Sequence, residues 1–150
     1  MITWLCKPFN ELATKELYQL MALRQEVFVV EQNCAYLDAD GKDYKSHHVM
    51  GYLGVKLVAC SRIVAPGVSY KEVSVGRVTT SLDYRGKGYG IELMEKSHGF
   101  IRELYGEVPI RISAQCYLES YYKLLGYSPT GNEYLEDGIP HMEMLRAAYF

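Results

Sequence analysis

The chain has 150 residues, of which 49% are hydrophobic, and its formal net charge is −2. A chain of this length can bury a substantial core as one ordinary domain, so we predict a single domain over residues 1–150. The sequence has neither the basic surplus of a nucleic-acid-binding protein nor an apolar run of membrane-spanning length, which argues against nucleic acid and membrane as partners.

The N-terminal part of the chain predicts a strand followed by a helix. Residues 2–6 form a short predicted strand that stops at Lys7 and Pro8. From Thr14 to about Val27, apolar residues recur at spacings of three and four. This period predicts an amphipathic helix with Thr14 as its N-cap, whose end runs into a buried loop.

Residues 33–47 are irregular and acidic, and we expect an ordered surface loop there. The run Asp38-x-Asp40-Gly41 suggests a calcium loop at first sight. An EF-hand loop, however, places its glycine sixth and a glutamate twelfth. Here Gly41 is fourth and the twelfth residue is Val49, so we predict no metal site.

The middle of the chain predicts an antiparallel meander of three strands. Residues 48–53 and 57–64 are strand-like and flank a hairpin turn at Gly54, Val55 and Lys56. Pro66 and Gly67 mark the next turn, and residues 72–80 form the third strand. The predicted order is therefore strand, helix and meander.

The C-terminal half predicts two more helices and three more strands. A helix begins near Ile91 and ends near Gly106, a strand covers residues 108–114, and a short helix covers residues 118–125. Residues 127–130 are expected to pair with residues 142–146 across a loop at 131–138. We therefore predict an α+β domain.

Four cysteines are scattered along the chain without a Cys-x-x-Cys pair: Cys6, Cys34, Cys60 and Cys116. Free thiols of this kind are typical of a reducing compartment. Because the hydrophobic N-terminal segment stops at Lys7, we also expect no targeting segment. These observations predict a soluble cytoplasmic protein.

A glycine-rich loop separates the third meander strand from the following helix. Gly86, Gly88 and Gly90 alternate there, next to Arg85 and Lys87. Glycines let successive backbone N–H groups turn toward one point, and a helix N-terminus adds partial positive charge. The loop therefore predicts a ligand that carries phosphate.

Two common phosphate-binding motifs do not fit this loop. A P-loop requires Gly-x-x-x-x-Gly-Lys followed by Ser or Thr, and the sequence has no such run. The dinucleotide-binding fingerprint requires a third glycine or alanine at the position of Ile91. The pattern that remains is Arg85-x-x-Gly88-x-Gly90.

This pattern resembles the pyrophosphate-binding signature of the GNAT N-acetyltransferase superfamily, and the predicted order of elements is similar to the whole GNAT fold. Tyr122, followed by Gly126 and Tyr127, matches a second motif of the family. Residues 23–34 and 136–141 are similar to the ElaA-like branch. The resemblance implies a mixed central sheet with an antiparallel meander, strands splayed at the acyl-CoA site, and helices on both faces.

The resemblance also implies acetyl-coenzyme A (acetyl-CoA) as cofactor and assigns its binding residues. Backbone groups of the third meander strand would contact the pantetheine and the acetyl carbonyl, and the glycine loop would hold the pyrophosphate. Gln115 is a candidate partner for amide groups, and Tyr122 matches the acid that protonates the leaving thiolate. The implied cofactor-binding residues are Val78, Thr79, Thr80, Arg85, Gly86, Lys87, Gly88, Tyr89, Gly90 and Gln115.

The general base stays open at this point. Some family members use a glutamate on the third meander strand, where this chain has Ser74. The alternatives are water and five side chains: Glu72, His141, Glu31, His47 and His48. We expect Glu31 and His141 to line the acceptor pocket, and Arg77 to make a structural ion pair.

The resulting hypothesis is an acetyl-CoA-dependent N-acetyltransferase that acts by direct attack of a primary amine from a small molecule or a protein. Four acidic residues near the acceptor side would suit a cationic acceptor: Glu31, Asp38, Asp40 and Asp43. The alternatives are another acyl transfer on the same fold, similar to acyl-homoserine-lactone synthases, and a non-catalytic coenzyme A-binding module. Assembly as a homodimer is left open.

Overall fold

A computed structural model of the protein describes residues 1–148, so the last two residues of the predicted domain, 149–150, lie outside the described residues. Within residues 1–148, seven strands and three α-helices follow one another in the predicted order. Their bounds are β1 Thr3–Pro8, α1 Thr14–Arg24, β2 Ser46–Leu53, β3 Lys56–Val64, β4 Ser74–Thr80, α2 Tyr89–Tyr105, β5 Ile110–Gln115, α3 Glu119–Leu124, β6 Tyr127–Glu136 and β7 Ile139–Arg146.

The first sheet is antiparallel with the order β1-β2-β3-β4, and β2 to β4 form the meander predicted over residues 48–80. Trp4 of β1 pairs with Gly51 of β2. A Cβ on Gly51 would lie 2.6 Å from the Trp4 ring, so the indole can cover the strand only because this position is glycine. The register of β1 therefore depends on a close approach between one ring and one backbone.

The second sheet has the order β5-β7-β6, with β7 in the centre. The predicted loop at 131–138 is wrong, because β6 continues to Glu136 and β7 begins at Ile139. The chain reverses in a two-residue turn at Asp137 and Gly138, whose φ angles are 51° and 78°. The register shifts between Pro129 and Glu133. Three residues of β6, 130–132, therefore lie opposite the single residue Glu143 of β7, and they include the Gly-Asn pair that is typical of a loop.

The two sheets meet at a parallel bridge between Val73 and Ile110. The amide of Arg111 donates to the carbonyl of Val73 at 3.0 Å. Beyond this point β4 and β5 belong to separate sheets, and β5 pairs with β7 instead. β4 and β5 are thus joined at one end and separate beyond it, which gives the splayed strands that the resemblance implied.

Helices cover both faces of the meander. On one face, α2 buries Leu93 and Met94 against a cluster that includes Val49 and Ile63 and extends into the second sheet. On the other face, α1 packs against a second cluster, which consists of Leu20, Leu23, Val27, Met50, Leu57 and Cys60. Successive residues of a strand point to opposite faces, so the two clusters lie back to back across the sheet.

The predicted helix at Thr14 differs from the structure at both ends. Ala13 is the N-cap residue and Thr14 the first helical residue, and the Glu16 carboxylate accepts the Ala13 amide at 2.8 Å. The α-helical pattern ends at Arg24 and continues as a π-helical segment over Gln25–Glu31. The β-branched residues of this segment crowd an α-helix, and single π turns occur frequently at functional sites.

His98 of α2 gives the stability of the fold a predictable dependence on pH. It is buried, its Nε2 shares a 2.8 Å hydrogen bond with the Tyr127 hydroxyl, and burial lowers its pKa to about 4. The unfolded imidazole binds its proton near pH 6.5, so the unfolded state binds more protons as the pH falls below that value. We expect this group to remove up to about 3 kcal/mol of unfolding free energy between about pH 6.5 and 4.

Urea unfolding of the wild type and of His98→Gln across this pH range measures the effect. Glutamine keeps a hydrogen-bonding group for Tyr127 but does not titrate. The free energy of unfolding should fall more steeply with decreasing pH in the wild type than in the variant. Parallel curves would contradict the assignment, because the other two buried imidazoles, His48 and His141, are present in both proteins.

Candidate active site

The wedge between β4 and β5 opens into a cavity of about 910 Å³. Its walls come from the π-helical segment, the acidic loop, β4, the glycine loop, the end of β5, α3 and the β6–β7 hairpin. Eleven of the residues predicted for the site line this one cavity: Glu31, Val78, Thr80, Arg85, Gly86, Gly88, Tyr89, Gly90, Gln115, Tyr122 and His141.

Two predicted residues within the described part of the chain, Thr79 and Lys87, are not among those that line the cavity. Thr79 is buried, and its hydroxyl donates to the backbone carbonyl of Arg77 at 2.9 Å. The ammonium of Lys87 lies 5.5 Å from the centre of the Tyr84 ring. Thr79 therefore acts on the backbone of its own strand, and Lys87 lies beside the cavity against an aromatic ring.

β4 contains a bulge next to the cavity. Arg62 of β3 pairs with Gly76 and Cys60 with Thr79, so two residues of β4 lie opposite one residue of β3. The two residues are Arg77 and Val78, and Arg77 has a φ of +50°. A bulge takes backbone groups out of the ladder and turns the strand. The bulge therefore lies within β4 itself, next to the cavity.

Three arginines and three aspartates alternate in a closed ring behind this bulge. Each guanidinium lies within 3.3 Å of a carboxylate on either side of it. We call this cluster the arginine–aspartate ring. In cyclic order it consists of Arg24, Asp38, Arg77, Asp40, Arg62 and Asp43.

The ring corrects two expectations for the acidic loop. Asp38 and Asp43 are 5% and 6% exposed, so this part of the loop is buried and not on the surface. Burial alone opposes ionisation, but the hydrogen bonds and charge of Arg62 hold the pKa of Asp40 at about 2. Because arginines already pair with all three carboxylates, these aspartates no longer support the expectation of a cationic acceptor.

The glycine loop leaves open space in front of the α2 N-terminus. Gly86 and Gly88 have φ angles of 78° and 79°, and a Cβ on either would meet no described atom within 4 Å. Gly88 is the N-cap, and its carbonyl accepts the first helical hydrogen bond, from Glu92 at 3.1 Å. The preceding amides of the first turn have no partner within the helix. This cradle fits the phosphate-bearing ligand predicted from the sequence.

Arg85 and Glu31 form a two-pronged ion pair with contacts of 2.5 and 2.8 Å. The Arg85 guanidinium also donates to the Thr80 carbonyl at 3.1 and 3.2 Å. The hydrogen bonds of Arg85 hold the pKa of Glu31 below its usual value. The predicted pyrophosphate arginine is therefore joined to a predicted acceptor residue, a pairing that no local pattern in the sequence indicates.

Tyr121 and Tyr122 occupy different environments although both line the cavity. The Tyr121 hydroxyl donates to the carbonyl of Gly90 at 3.0 Å and so contacts the first turn of α2. Tyr122 is 8% exposed and packs edge-on against Tyr127 with ring centres 5.8 Å apart. Burial raises the pKa of Tyr122 well above its ordinary value. The phenol of Tyr122 therefore stays protonated at neutral pH.

Among the described residues proposed as bases, only Glu31 and His141 line the cavity. Glu72 is paired with Arg111 at 2.9 and 3.1 Å. His48 is buried, its Nε2 bonds the Asp43 carbonyl at 3.1 Å, and burial lowers its pKa. Glu72 and His48 therefore make structural contacts outside the cavity wall.

His141 has the geometry of a group that can accept a proton. Its Nδ1 lies 2.7 Å from the Ile139 carbonyl, which can only accept, so Nδ1 carries a proton. The other nitrogen, Nε2, lies 3.4 Å from a carboxylate oxygen of Glu136. The ring stacks on Tyr134 at 6.2 Å. In the neutral tautomer, Nε2 is thus the free base.

Several tyrosines of the cavity wall were not predicted individually. The sequence has 14 tyrosines and 4 phenylalanines, a bias that suits a wet cleft with aromatic walls. Their positions in the wall depend on tertiary packing, so only the bias was visible beforehand. The tyrosines concerned are Tyr36, Tyr70, Tyr84 and Tyr117.

Comparison with known proteins agrees with this geometry. The family model of the acetyltransferase (GNAT) domain matches residues 44–147. A UPF0039 protein from Synechocystis sp. is 41% identical over 149 residues, which cover 96% of this chain and 94% of that protein. Protein ElaA of Escherichia coli is 38% identical over 148 residues, and these cover 97% of each chain.

The structural similarity is equally extensive. The crystal structure of an acyl-CoA N-acyltransferase from Pseudomonas aeruginosa has a TM-score of 0.94 and 41% identity, and the match covers 98% of this chain and 100% of that one. The crystal structure of Escherichia coli ElaA has a TM-score of 0.91 and 38% identity, with 97% and 99% covered.

The chain therefore belongs to the GNAT acetyltransferase family and is an acyltransferase. Within the family its similarity is to ElaA, which confirms the branch indicated by residues 23–34 and 136–141. Over the described residues, the structure contains no helix long and apolar enough to cross a membrane.

The Glu31–Arg85 ion pair predicts how one substitution alters coenzyme A binding. Glu31→Gln removes the carboxylate that competes with phosphate for Arg85. Exposed ion pairs contribute about 0.2–1 kcal/mol, so affinity for coenzyme A should rise by up to about fivefold. Isothermal titration calorimetry measures the change.

A matched control removes the same charge far from the cavity. Glu107 pairs with Arg102 at 2.6 Å beyond the opposite end of α2, so Glu107→Gln should leave the affinity unchanged. Equal affinities of the wild type and Glu31→Gln would mean that Arg85 does not contact the phosphates of coenzyme A.

Proposed function

We propose that the protein is an acetyl-CoA-dependent N-acetyltransferase that modifies a primary amine by direct attack on the thioester. The observation that carries this proposal is the convergence of three features on one cavity. These are the open glycine cradle at the α2 N-terminus, the bulge in β4, and the buried phenol of Tyr122. The match to an acetyltransferase domain family supports acetyl as the transferred group.

The donor half of the cavity is the glycine loop together with the facing edges of β4 and β5. The amides of Gly86, Gly88 and the first turn of α2 would bind the pyrophosphate, and Arg85 would add charge. Lys87 would contribute from the rim. The backbone of Val78–Thr80 and the amide of Gln115 would flank the pantetheine, because β4 and β5 leave their hydrogen-bonding edges free where they separate.

The acetyl thioester supplies an activated carbonyl when it is bound. The acceptor nitrogen attacks this carbonyl, a C–N bond forms and the C–S bond breaks. Tyr122 gives its proton to the departing thiolate, because a phenol is protonated at neutral pH and can act as a general acid. The amine proton goes to a base, which restores the balance of charge.

The acceptor half lies between the π-helical segment and the β6–β7 hairpin. We assign Glu31 and His141 to this pocket because both line the cavity. Nε2 of His141 carries no proton in the neutral tautomer, which makes it the favoured base, and Glu31 and a water molecule are the alternatives. The acceptor itself is a primary amine of a small molecule or a protein.

A panel of primary amines with acetyl-CoA as donor tests the function directly. Release of the free thiol of coenzyme A with at least one amine is expected. Tight binding of coenzyme A with no thiol release across the panel would favour a non-catalytic binding module.

The four cysteines are free, as is typical of proteins in a reducing compartment, and this supports a cytoplasmic location.

The glycine cradle predicts a loss of donor binding in Gly88→Val. A side chain at this position would occupy the space in front of the α2 amides and would also strain a φ of +79°. Coenzyme A affinity should fall at least tenfold by calorimetry. Gly54→Val is the matched control, because Gly54 has a φ of +60° in the β2–β3 hairpin and does not line the cavity described for residues 1–148.

Both glycine variants should lose thermal stability, but only Gly88→Val should lose affinity. Unchanged affinity in Gly88→Val would remove the glycine loop from the donor site.

The role of Tyr122 predicts a defect in turnover. General acids contribute about 10²–10⁴-fold, so Tyr122→Phe should lower kcat within that range while KM for acetyl-CoA stays similar. Tyr121→Phe should lose the hydrogen bond to Gly90, worth on the order of 1 kcal/mol of stability, and retain most of its turnover. Steady-state rates with one active amine compare the two variants. A slow Tyr121→Phe and a fast Tyr122→Phe would reverse the assignment.

A further inference from the structure

Arg77 adopts a backbone conformation that arginine ordinarily avoids. Its φ is +50° in the middle of the β4 bulge. Residues other than glycine persist in this region only where the surroundings hold them there. A glycine is present one position earlier, at Gly76, yet the strained position carries the long charged side chain. The arginine side chain therefore has a role at this position that glycine could not fill.

The side chain of Arg77 is held by the acidic loop. Its Nε lies 2.8 Å from Oδ1 of Asp38, and its Nη2 lies 3.1 Å from the Asp38 carbonyl and 3.3 Å from Asp40. Both aspartates also contact other members of the arginine–aspartate ring. Arg24 on α1 and Arg62 on β3 are 1% and 5% exposed, so the ring is anchored in the interior.

The backbone of Arg77 is held as well. The Thr79 hydroxyl donates to the Arg77 carbonyl at 2.9 Å. This carbonyl and the amide of Val78 belong to one planar peptide unit, so fixing the carbonyl fixes the direction of the Val78 N–H. Arg77 and Val78 both line the cavity. Thr79 lies behind them, which explains why it is buried and not part of the cavity wall.

We propose that Arg77 is a positioning residue for acyl transfer. The arginine–aspartate ring holds its side chain, Thr79 holds its carbonyl, and together they keep the Val78 amide aimed at the thioester oxygen. The inference rests on the proposed function, since it assigns that amide to the acetyl carbonyl. A preorganised donor at this oxygen is one of the largest contributions to acyl transfer.

Carbon-13 NMR of bound [1-¹³C]acetyl-CoA reports on this amide without requiring an acceptor. A hydrogen bond polarises the thioester carbonyl, so the bound signal of the wild type should be shifted from that of free acetyl-CoA. Arg77→Gly accepts the positive φ without strain but removes the ion pairs. At least half of the bound shift should be lost, while the dissociation constant of coenzyme A should change by less than about threefold, because the glycine loop is intact.

Thr79→Val provides a second test that leaves the ring untouched, and it decides the matter if Arg77→Gly does not fold. It removes one hydroxyl with little change of shape, and we expect a smaller loss of the bound shift in the same direction. Thr130→Val is the matched control on the exposed strand β6, and its bound shift should equal that of the wild type.

The possible results separate the inference from the function. A wild-type protein that binds no acetyl-CoA would overturn the proposed function and this inference with it. A wild-type protein that binds and shifts the carbonyl, with the same shift in Arg77→Gly and Thr79→Val, would overturn the inference alone. Loss of the shift in both variants with retained coenzyme A affinity would support it.

Discussion

The arginine–aspartate ring is the interaction on which the site depends, because it joins α1, the acidic loop, β3 and the β4 bulge. Its three positive and three negative charges alternate, so each buried charge has an opposite neighbour on both sides. Burying a charge is costly, and removing one partner leaves an uncompensated charge in the interior. The main effect of the ring is therefore to specify one arrangement of these elements, and its net contribution to stability is small.

The bulge and the bridge at Val73–Ile110 act together to shape the cavity. The bridge holds β4 and β5 at one end, and the bulge bends β4 further along the strand. The glycine loop then follows β4 directly and brings the α2 N-terminus to the cavity. On the other side, Gln115 pairs with His141, so the centre strand of the second sheet carries the imidazole to the same space.

Charge in the cavity is distributed differently from charge along the chain. The aspartates of the acidic loop are neutralised inside the ring. Two glutamates of the cavity wall, Glu31 and Glu136, each contact a basic side chain of the same wall. Glu31 faces Arg85, and Glu136 faces His141. In the proposed site, Glu31 would link the donor and acceptor halves electrostatically, because it pairs with Arg85 beside the glycine loop.

Sequence alone was sufficient for the order of elements, the glycine loop and the family, because these depend on periodicity and short motifs within a few residues. Sequence also indicated Tyr122 as a residue of the cavity, because the motif that it forms with Gly126 spans only five residues. Tertiary structure decided the rest: the ring joins residues 24, 38–43, 62 and 77, and Arg85 meets Glu31 from 54 positions away. Such contacts depend on how strands register and helices pack, and no local pattern encodes them. The same reason explains why the acidic loop looked exposed: burial of its carboxylates requires arginines that lie on three other elements.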